Sequence, residues 1–86
     1  MRARFSLLAA GPDTLALISR LLTDAGHEVT VRASSAAALR DIPETLPDCV
    51  ITDLMMPVMD GFELTRELRR RPDLAAMKIV ILSAKS

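Results

Sequence analysis

The sequence predicts an α/β fold in which strands and helices alternate in the order βαβαβαβ around a parallel sheet. Two observations carry this prediction. Short apolar runs bounded by turn residues recur along the chain, and the segments between them repeat apolar residues at helical spacing. The sequence contains no internal repeat and no low-complexity linker. Parallel strands joined by right-handed crossovers direct ligand chemistry to the carboxyl ends of the strands.

The first half of the chain predicts two strand–helix units. Residues 5–10 form an apolar run that Gly11-Pro12 closes, which is typical of a buried strand followed by a turn. A helix is expected from Asp13 to Gly26, because Leu15, Ile18, Leu22 and Ala25 recur at helical spacing. Residues 29–32 alternate as an edge strand does, and Ser34 or Ser35 can cap a second helix that runs to Ile42.

The second half predicts two further strands with a helix between them. Residues 49–53 form a nearly continuous apolar strand that finishes on Asp53, and residues 57–61 form a loop. The third helix contains Phe62, Leu64 and Leu68, and three arginines at 69–71 are interpreted as its solvated end, complementing the helix dipole. Residues 78–83 form the fourth strand, which is apolar on both faces and therefore expects neighbours on every side.

Charge and composition exclude several functional classes. The chain has 86 residues with 11 Lys+Arg and 11 Asp+Glu, so no electrostatic bias favours nucleic acid or acidic lipid. No apolar stretch approaches the length of a membrane span, and no secretory signal opens the chain. The single cysteine, Cys49, cannot form an internal disulfide. We therefore expect a cytoplasmic protein that contacts neither nucleic acid nor membrane.

One segment resembles a known family. Residues 47–61, read as Pro-Asp-Cys-Val-Ile-Thr-Asp-Leu-Met-Met-Pro-Val-Met-Asp-Gly, are similar to the phospho-acceptor strand and following loop of response-regulator receiver domains. The order of elements before this segment and the Ile-Leu-Ser-Ala ending after it agree with the family. The resemblance implies a flavodoxin-like (CheY-like) parallel sheet truncated before the fifth strand. Residues 1–86 would then form a single truncated receiver-like domain of two-component phosphorelay signal transduction.

The resemblance implies roles for three residues. Asp53 falls at the position where the family accepts a phosphoryl group from a histidine kinase. Ser83 falls at the position of the hydroxyl that bonds the phosphoryl oxygen. Asp53 and the backbone carbonyl of Met55 fall at metal-ligand positions, and a carbonyl ligand does not depend on the methionine side chain.

The departures from the family concern the metal. Receivers end their first strand on two adjacent acids that hold Mg²⁺, and here Ala9 and Ala10 occupy those positions. The family's lysine at the end of a fifth strand lies beyond this sequence. Mg²⁺ is usually anchored by carboxylates, so we expect no firmly bound cofactor and at most weak Mg²⁺ binding. Phosphoryl transfer relies on positioning and charge neutralisation, so Asp53 should be phosphorylated poorly or not at all.

Neighbouring residues do not fill these gaps in the sequence. Asp13 is interpreted as a first-turn or capping acid of the first helix, and Lys85 as a free surface side chain. His27 is interpreted as a strand-entry residue, because no cysteine, histidine or carboxylate clusters with it in the sequence. Cys49 is expected to be buried. The methionines at 55, 56 and 59 are expected to fill gaps under the loop.

The functional prediction is a receiver-like signalling module that acts through protein–protein interaction and is not an enzyme. The alternative is a functional phospho-acceptor, modified on Asp53 with weak Mg²⁺ binding. A flavin-binding protein of the same topology is disfavoured, because Ala10-Gly11-Pro12-Asp13 lacks a hydroxyl- and glycine-rich phosphate cradle. An apolar fourth strand at an open edge predicts a homodimer that covers it, or else a chain that is a fragment of a longer regulator from which the cover was removed. A histidine kinase or another signalling protein is the other expected partner.

Overall fold

Four parallel strands form one sheet in the computed structural model, which describes residues 2–11, 13 and 15–82. The strands are β1 (Arg4–Leu8), β2 (Glu28–Arg32), β3 (Cys49–Asp53) and β4 (Lys78–Leu82), in the spatial order β2-β1-β3-β4. The helices are α1 (Ala16–Asp24), α2 (Ser35–Thr45) and α3 (Gly61–Arg69), followed by a 3-10 helix, Pro72–Leu74. This architecture confirms the predicted flavodoxin-like fold class.

Each face of the sheet has its own apolar cluster, because successive residues of a strand point to opposite faces. Leu8 and Val50 are fully buried on the face covered by α2 and α3, where they pack with Ile42, Leu64 and Leu68. Leu7 is fully buried on the opposite face, where Ala9, Leu15 and the inner side of α1 complete a smaller cluster. The pattern Leu7-Leu8 therefore anchors both faces of the central strand β1.

The helix ends follow local hydrogen-bonding chemistry. The Ser34 hydroxyl caps α2 by accepting a hydrogen bond from the Ala37 N–H at 3.3 Å, which confirms one of the two predicted caps. At α3, the Asp60 carboxylate accepts from the Glu63 N–H at 2.9 Å, and the Glu63 carboxylate accepts from the Asp60 N–H at 3.2 Å. The expectation that Asp13 caps the first helix is wrong, because α1 has Leu15 at its N-cap without a side-chain hydrogen bond.

Arg69 departs from the expectation of a merely solvated helix end. Its guanidinium donates to the carbonyls of Met77 at 2.6 Å, Ala75 at 2.9 Å and Leu74 at 3.4 Å. These contacts tie the end of α3 to the turn that leads into β4. Arg70 is closer to the predicted role, since it forms an exposed ion pair with Glu67 at 3.3 Å. None of the helices in the described part of the chain has the length and hydropathy that a membrane crossing requires.

Candidate functional site

Asp53 is the last residue of β3 and lies at the carboxyl edge of the sheet. In the strand register Thr52 pairs with Leu8 of β1, and Asp53 pairs with Leu82 of β4. The ends of three neighbouring strands therefore meet around one carboxylate. The side chain is largely enclosed, since Asp53 is only 8% exposed. This is the position where open parallel sheets collect functional groups.

The residues that follow β1 lie beside the end of β3 that carries Asp53. β1 ends at Leu8, two residues before the predicted end, so Ala9 and Ala10 follow the strand beside Asp53. Ala9 is 6% exposed and packs into the smaller apolar cluster. Burial raises the pKa of the Asp53 carboxyl above its ordinary value, and a hydrogen bond from the backbone of Ala10 partly offsets this increase. The Ala10 backbone and the Asp53 carboxyl therefore lie within hydrogen-bonding distance of each other.

The loop after β3 is held against the strand ends by backbone hydrogen bonds. The Leu54 N–H donates to the Leu82 carbonyl at 2.9 Å, and the Gly61 N–H donates to the Leu54 carbonyl at 2.9 Å. Gly61 is buried at the start of α3, where its Cα faces the Asp53 carbonyl so closely that a Cβ would lie 2.9 Å from that oxygen. The end of β3 and the start of α3 therefore approach more closely than a side chain allows.

The methionines of this loop do not share one role. Met56 is 7% exposed and fills the core under the loop, as predicted, and Met59 packs partly against the same core. The prediction is wrong for Met55, whose side chain is 78% exposed. Val58 is fully exposed and has a φ of 71°, a left-handed conformation that a β-branched residue rarely adopts.

Sequence reasoning missed one contact that holds this loop. The buried Ser35 hydroxyl donates to the Met59 carbonyl at 2.8 Å and so joins the start of α2 to the loop after Asp53. The adjacent pair Ser34-Ser35 was the available signal. One serine caps the helix, and the second is free to contact a neighbouring element.

Two predicted positions lie outside the described residues, namely Ser83 at the hydroxyl position and Lys85. Asp13 is described and its side chain is exposed. His27 lies directly before β2, as predicted, and its Nδ1 accepts a hydrogen bond from the Ala3 N–H at 3.0 Å. Across residues 2–11, 13 and 15–82, no group of three or more His, Cys, Asp or Glu side chains is arranged to hold a metal ion.

Comparison with known proteins gives a consistent result at the level of sequence. The model of the response regulator receiver domain family matches residues 11–86. The chain is 38% identical over 74 residues to the transcriptional regulatory protein PrrA of Mycobacterium leprae. That match covers 86% of this chain and 31% of PrrA, so the chain spans about a third of this curated relative.

Solved structures agree with the sequence match. The chemotaxis response regulator CheY4 of Vibrio cholerae superposes with a TM-score of 0.92 at 28% identity, covering 100% of this chain and 72% of CheY4. The receiver domain of the sensor histidine kinase PA1611 of Pseudomonas aeruginosa, crystallised with a magnesium ion in its active-site cleft, superposes with a TM-score of 0.89 at 27% identity, covering 99% of this chain and 70% of that one. Together with the strand order and the position of Asp53, these matches show that the chain belongs to the response regulator receiver domain family.

Proposed function

We propose that this receiver domain acts in two-component signalling mainly through protein–protein contacts, without serving as an enzyme, and that Asp53 accepts phosphoryl groups poorly or not at all. The observation that carries the proposal is the pair of alanines, Ala9 and Ala10, beside the buried Asp53 carboxylate. By the family resemblance, these two alanines occupy the positions of the acidic pair that holds Mg²⁺ in receivers.

The donor set near Asp53 does not suit Mg²⁺. This cation requires near-octahedral oxygen coordination and is usually anchored by one or two carboxylates together with a phosphate. By the family resemblance, the protein donors would be Asp53 and the backbone carbonyl of Met55. Burial raises the pKa of Asp53, so its ionised form is disfavoured before any ligand arrives. We therefore expect no firmly bound cofactor and weak Mg²⁺ binding at most.

Weak cation binding would matter because phosphoryl transfer depends on neutralising charge. Attack by the Asp53 carboxylate on a phospho-donor brings two anions together, and the environment must stabilise the charge that develops on the transferred oxygens. Ala9 and Ala10 contribute no charge, and a single backbone hydrogen bond from Ala10 is a small compensation. The expected consequence is a rate lower by orders of magnitude than with a metal-loaded site.

The test restores the acidic pair by substitution and then removes the Asp53 carboxylate from the restored site. The wild-type chain, the double variant Ala9→Asp/Ala10→Asp and the triple variant that adds Asp53→Asn are incubated with Mg²⁺ and acetyl phosphate, followed by intact-mass measurement. We expect the wild type to remain unmodified and the double variant to gain one phosphoryl group that the triple variant does not. Rapid stoichiometric phosphorylation of the wild type would refute the proposal and support the alternative of a functional phospho-acceptor. Calorimetric titration with Mg²⁺ separates the same two functions, because only the alternative requires a specific site.

Partners and location form the remaining part of the proposal. A histidine kinase or another signalling protein is the partner class that family membership favours. A homodimer that covers β4 is proposed because β4 pairs only with β3 among the described strands and its Val80 is 42% exposed. Light scattering that finds a stable monomer at micromolar concentration would contradict it. A cytoplasmic location is proposed from the single cysteine, Cys49, which has no disulfide partner within the chain.

A further inference from the structure

β2 is an edge strand, and the backbone groups of alternate residues point away from the rest of the sheet. Among the described strands it pairs with β1 alone, at the edge opposite β4. The Arg32 carbonyl accepts a hydrogen bond from the Ala9 N–H at 3.1 Å, so the backbone groups of Arg32 point to β1. Because successive residues of a strand alternate in this direction, Val29 and Val31 direct their N–H and C=O groups outward. Such an edge is a template for pairing with another strand.

The side chain of Arg32 lies along this outward edge. Its guanidinium donates to the carbonyl of Val31 at 3.0 Å and forms an ion pair with the Asp41 carboxylate of α2. A charged side chain laid on an edge strand is one of the ways in which proteins oppose pairing with another strand. Asp41 therefore holds Arg32 where it occupies an acceptor that an added strand would use.

The sequence of β2 is complementary to itself when two copies run antiparallel. The strand reads Glu-Val-Thr-Val-Arg, so a two-fold axis at Thr30 places Glu28 opposite Arg32 of the second copy. The same register places Val29 opposite Val31, the two residues whose backbone groups point outward. Both Val29–Val31 pairs would then be of the type that exchanges two hydrogen bonds. Side-chain charge and backbone pattern thus select the same register.

The charged residues of the two strands would meet on one face of the joined sheet. Val29 packs in the apolar cluster under α1, so Glu28, Thr30 and Arg32 point to the opposite face, where α2 lies. Glu28 and Arg32 of the second copy would face each other with their Cα atoms about 4.5 Å apart. Opposite charges in such a pair stabilise antiparallel strands. The Glu28 carboxylate contacts Arg4 at 3.1 Å in an exposed pair, so it loses little when it changes partner.

We propose that β2 is a pairing surface for β2 of a second copy of this chain, and that Asp41 restrains this pairing by holding Arg32 on the strand edge. When Arg32 leaves Val31, its guanidinium reaches the Glu28 carboxylate of the second copy. The Val31 carbonyl then accepts a hydrogen bond from the Val29 N–H of the second copy. The product is one continuous sheet with the two β2 strands at its centre, related by a two-fold axis perpendicular to the sheet.

This inference concerns the edge of the sheet opposite to the one proposed above for a homodimer. Pairing of β2 and cover of β4 use different strands, so either can occur without the other. Pairing through both edges would join copies into an open-ended chain, because the two interfaces of one copy lie on opposite sides and do not close on each other. The restraint at β2 therefore limits how far the chain can assemble.

The first experiment reports the register by disulfide formation. Thr30→Cys and Val31→Cys are compared in a Cys49→Ser background, which makes the introduced cysteine the single thiol of the chain. In the proposed register the two Thr30 Cα atoms lie about 4.5 Å apart, within the range that a disulfide spans. The two Val31 Cα atoms are offset by two residues along the strands, which separates them by about 8–9 Å and prevents a disulfide.

Initial rates of covalent dimer formation under diamide are measured on non-reducing gels at equal protein concentration. We expect Thr30→Cys, the reporter variant, to cross-link at least about tenfold faster than Val31→Cys, because pairing raises the effective concentration of its thiol. Random collision predicts the reverse order, since Val31 is 51% exposed and Thr30 is half-buried. Far-UV circular dichroism checks that each variant folds.

The second experiment removes the restraint from the reporter variant. Asp41→Asn takes the carboxylate away from Arg32 and leaves the guanidinium able to pair with the second copy. Because an ion pair is no longer broken in either copy, the cross-linking rate should rise roughly tenfold. Glu67→Gln is the matched control, since it removes the carboxylate that contacts Arg70 at 3.3 Å on α3. The control should cross-link at the rate of the reporter variant.

The third experiment tests the charge match across the two strands. Glu28→Lys in the reporter variant places a cation opposite Arg32 of the second copy at both symmetric positions. The cross-linking rate should therefore fall roughly tenfold. Glu67→Lys introduces the same change of charge on α3 and also loses an exposed ion pair, so it should leave the rate unchanged.

Each experiment has a result that would overturn its part of the inference. A reporter variant that cross-links no faster than Val31→Cys would overturn pairing through β2. A rate that Asp41→Asn leaves unchanged would overturn the restraint, and a rate that Glu28→Lys leaves unchanged would overturn the register. These outcomes do not depend on the light-scattering test of the β4 homodimer or on the acetyl phosphate test of Asp53.

Discussion

Replacing Gly61 by alanine should destabilise the fold by disturbing the point where β3 meets α3. A Cβ at this position would lie 2.9 Å from the Asp53 carbonyl oxygen, 3.2 Å from Leu54 Cα and 3.3 Å from Ile81 Cγ2. The two nearest atoms belong to the backbone and cannot rotate away. Overpacking of this kind costs about 1–3 kcal/mol, whereas alanine in a helix gains about 0.5–1 kcal/mol over glycine. The net expectation is a loss of about 0.5–2 kcal/mol in the free energy of unfolding.

Urea unfolding followed by far-UV circular dichroism measures this change, since the chain has no tryptophan to report by fluorescence. Gly26→Ala is a useful comparison, because Gly26 has a φ of 92° and a Cβ there would meet nothing within 4 Å, so its loss comes from backbone conformation alone. Only Gly61→Ala should also shift the amide resonances of Asp53 and Leu54. An unfolding midpoint for Gly61→Ala equal to or above that of the wild type would refute the argument from close approach.

Two further predictions concern the same region. Val58→Gly should raise the free energy of unfolding by about 1 kcal/mol, because glycine tolerates the φ of 71° and the fully exposed valine has no packing to lose; a lower urea midpoint would contradict this. Asp53→Asn should stabilise the fold at neutral pH, because burial raises the pKa of Asp53 in the folded state and the wild type loses stability as pH rises through that pKa. Below the ordinary pKa of 3.8 the carboxyl is protonated in both the folded and the unfolded state. The difference in the free energy of unfolding between Asp53→Asn and the wild type should therefore vanish there. A difference that is independent of pH would exclude this explanation.

Elements with strong local signals were predicted well from the sequence. The strand at residues 49–53 has the predicted bounds, because a continuous apolar run lies between Pro47-Asp48 and the acid that ends it. The end of β1 was placed two residues late, since Ala9 and Ala10 extend the apolar pattern beyond Leu8. Hydropathy alone cannot distinguish a strand residue from an apolar residue in a buried loop. The end of β1 nonetheless lies beside the end of β3, because the two strands are adjacent and parallel as the predicted topology requires.

Features that depend on tertiary contacts could not be predicted. Nothing in the sequence indicates that Arg69 reaches the carbonyls of the turn before β4, because a terminal arginine of a helix has the same pattern whether it contacts solvent or backbone. The 3-10 helix Pro72–Leu74 belongs to that same turn and has no periodicity of its own. The left-handed conformation of Val58, in the loop between β3 and α3, contradicts the intrinsic preference of a β-branched residue.

The raised pKa of the Asp53 carboxyl indicates that a contribution to stability does not explain why an aspartate occupies this position. A carboxyl with a raised folded-state pKa is less stable in its ionised form than in water, so at neutral pH the fold tolerates Asp53 at a cost in stability. A neutral side chain of similar shape would relieve that cost and could keep the hydrogen bond from the Ala10 backbone. Residues that oppose local stability in this way tend to lie at functional sites. If Asp53→Asn is more stable but alters association with a signalling partner, the carboxylate acts through that contact even without a metal ion.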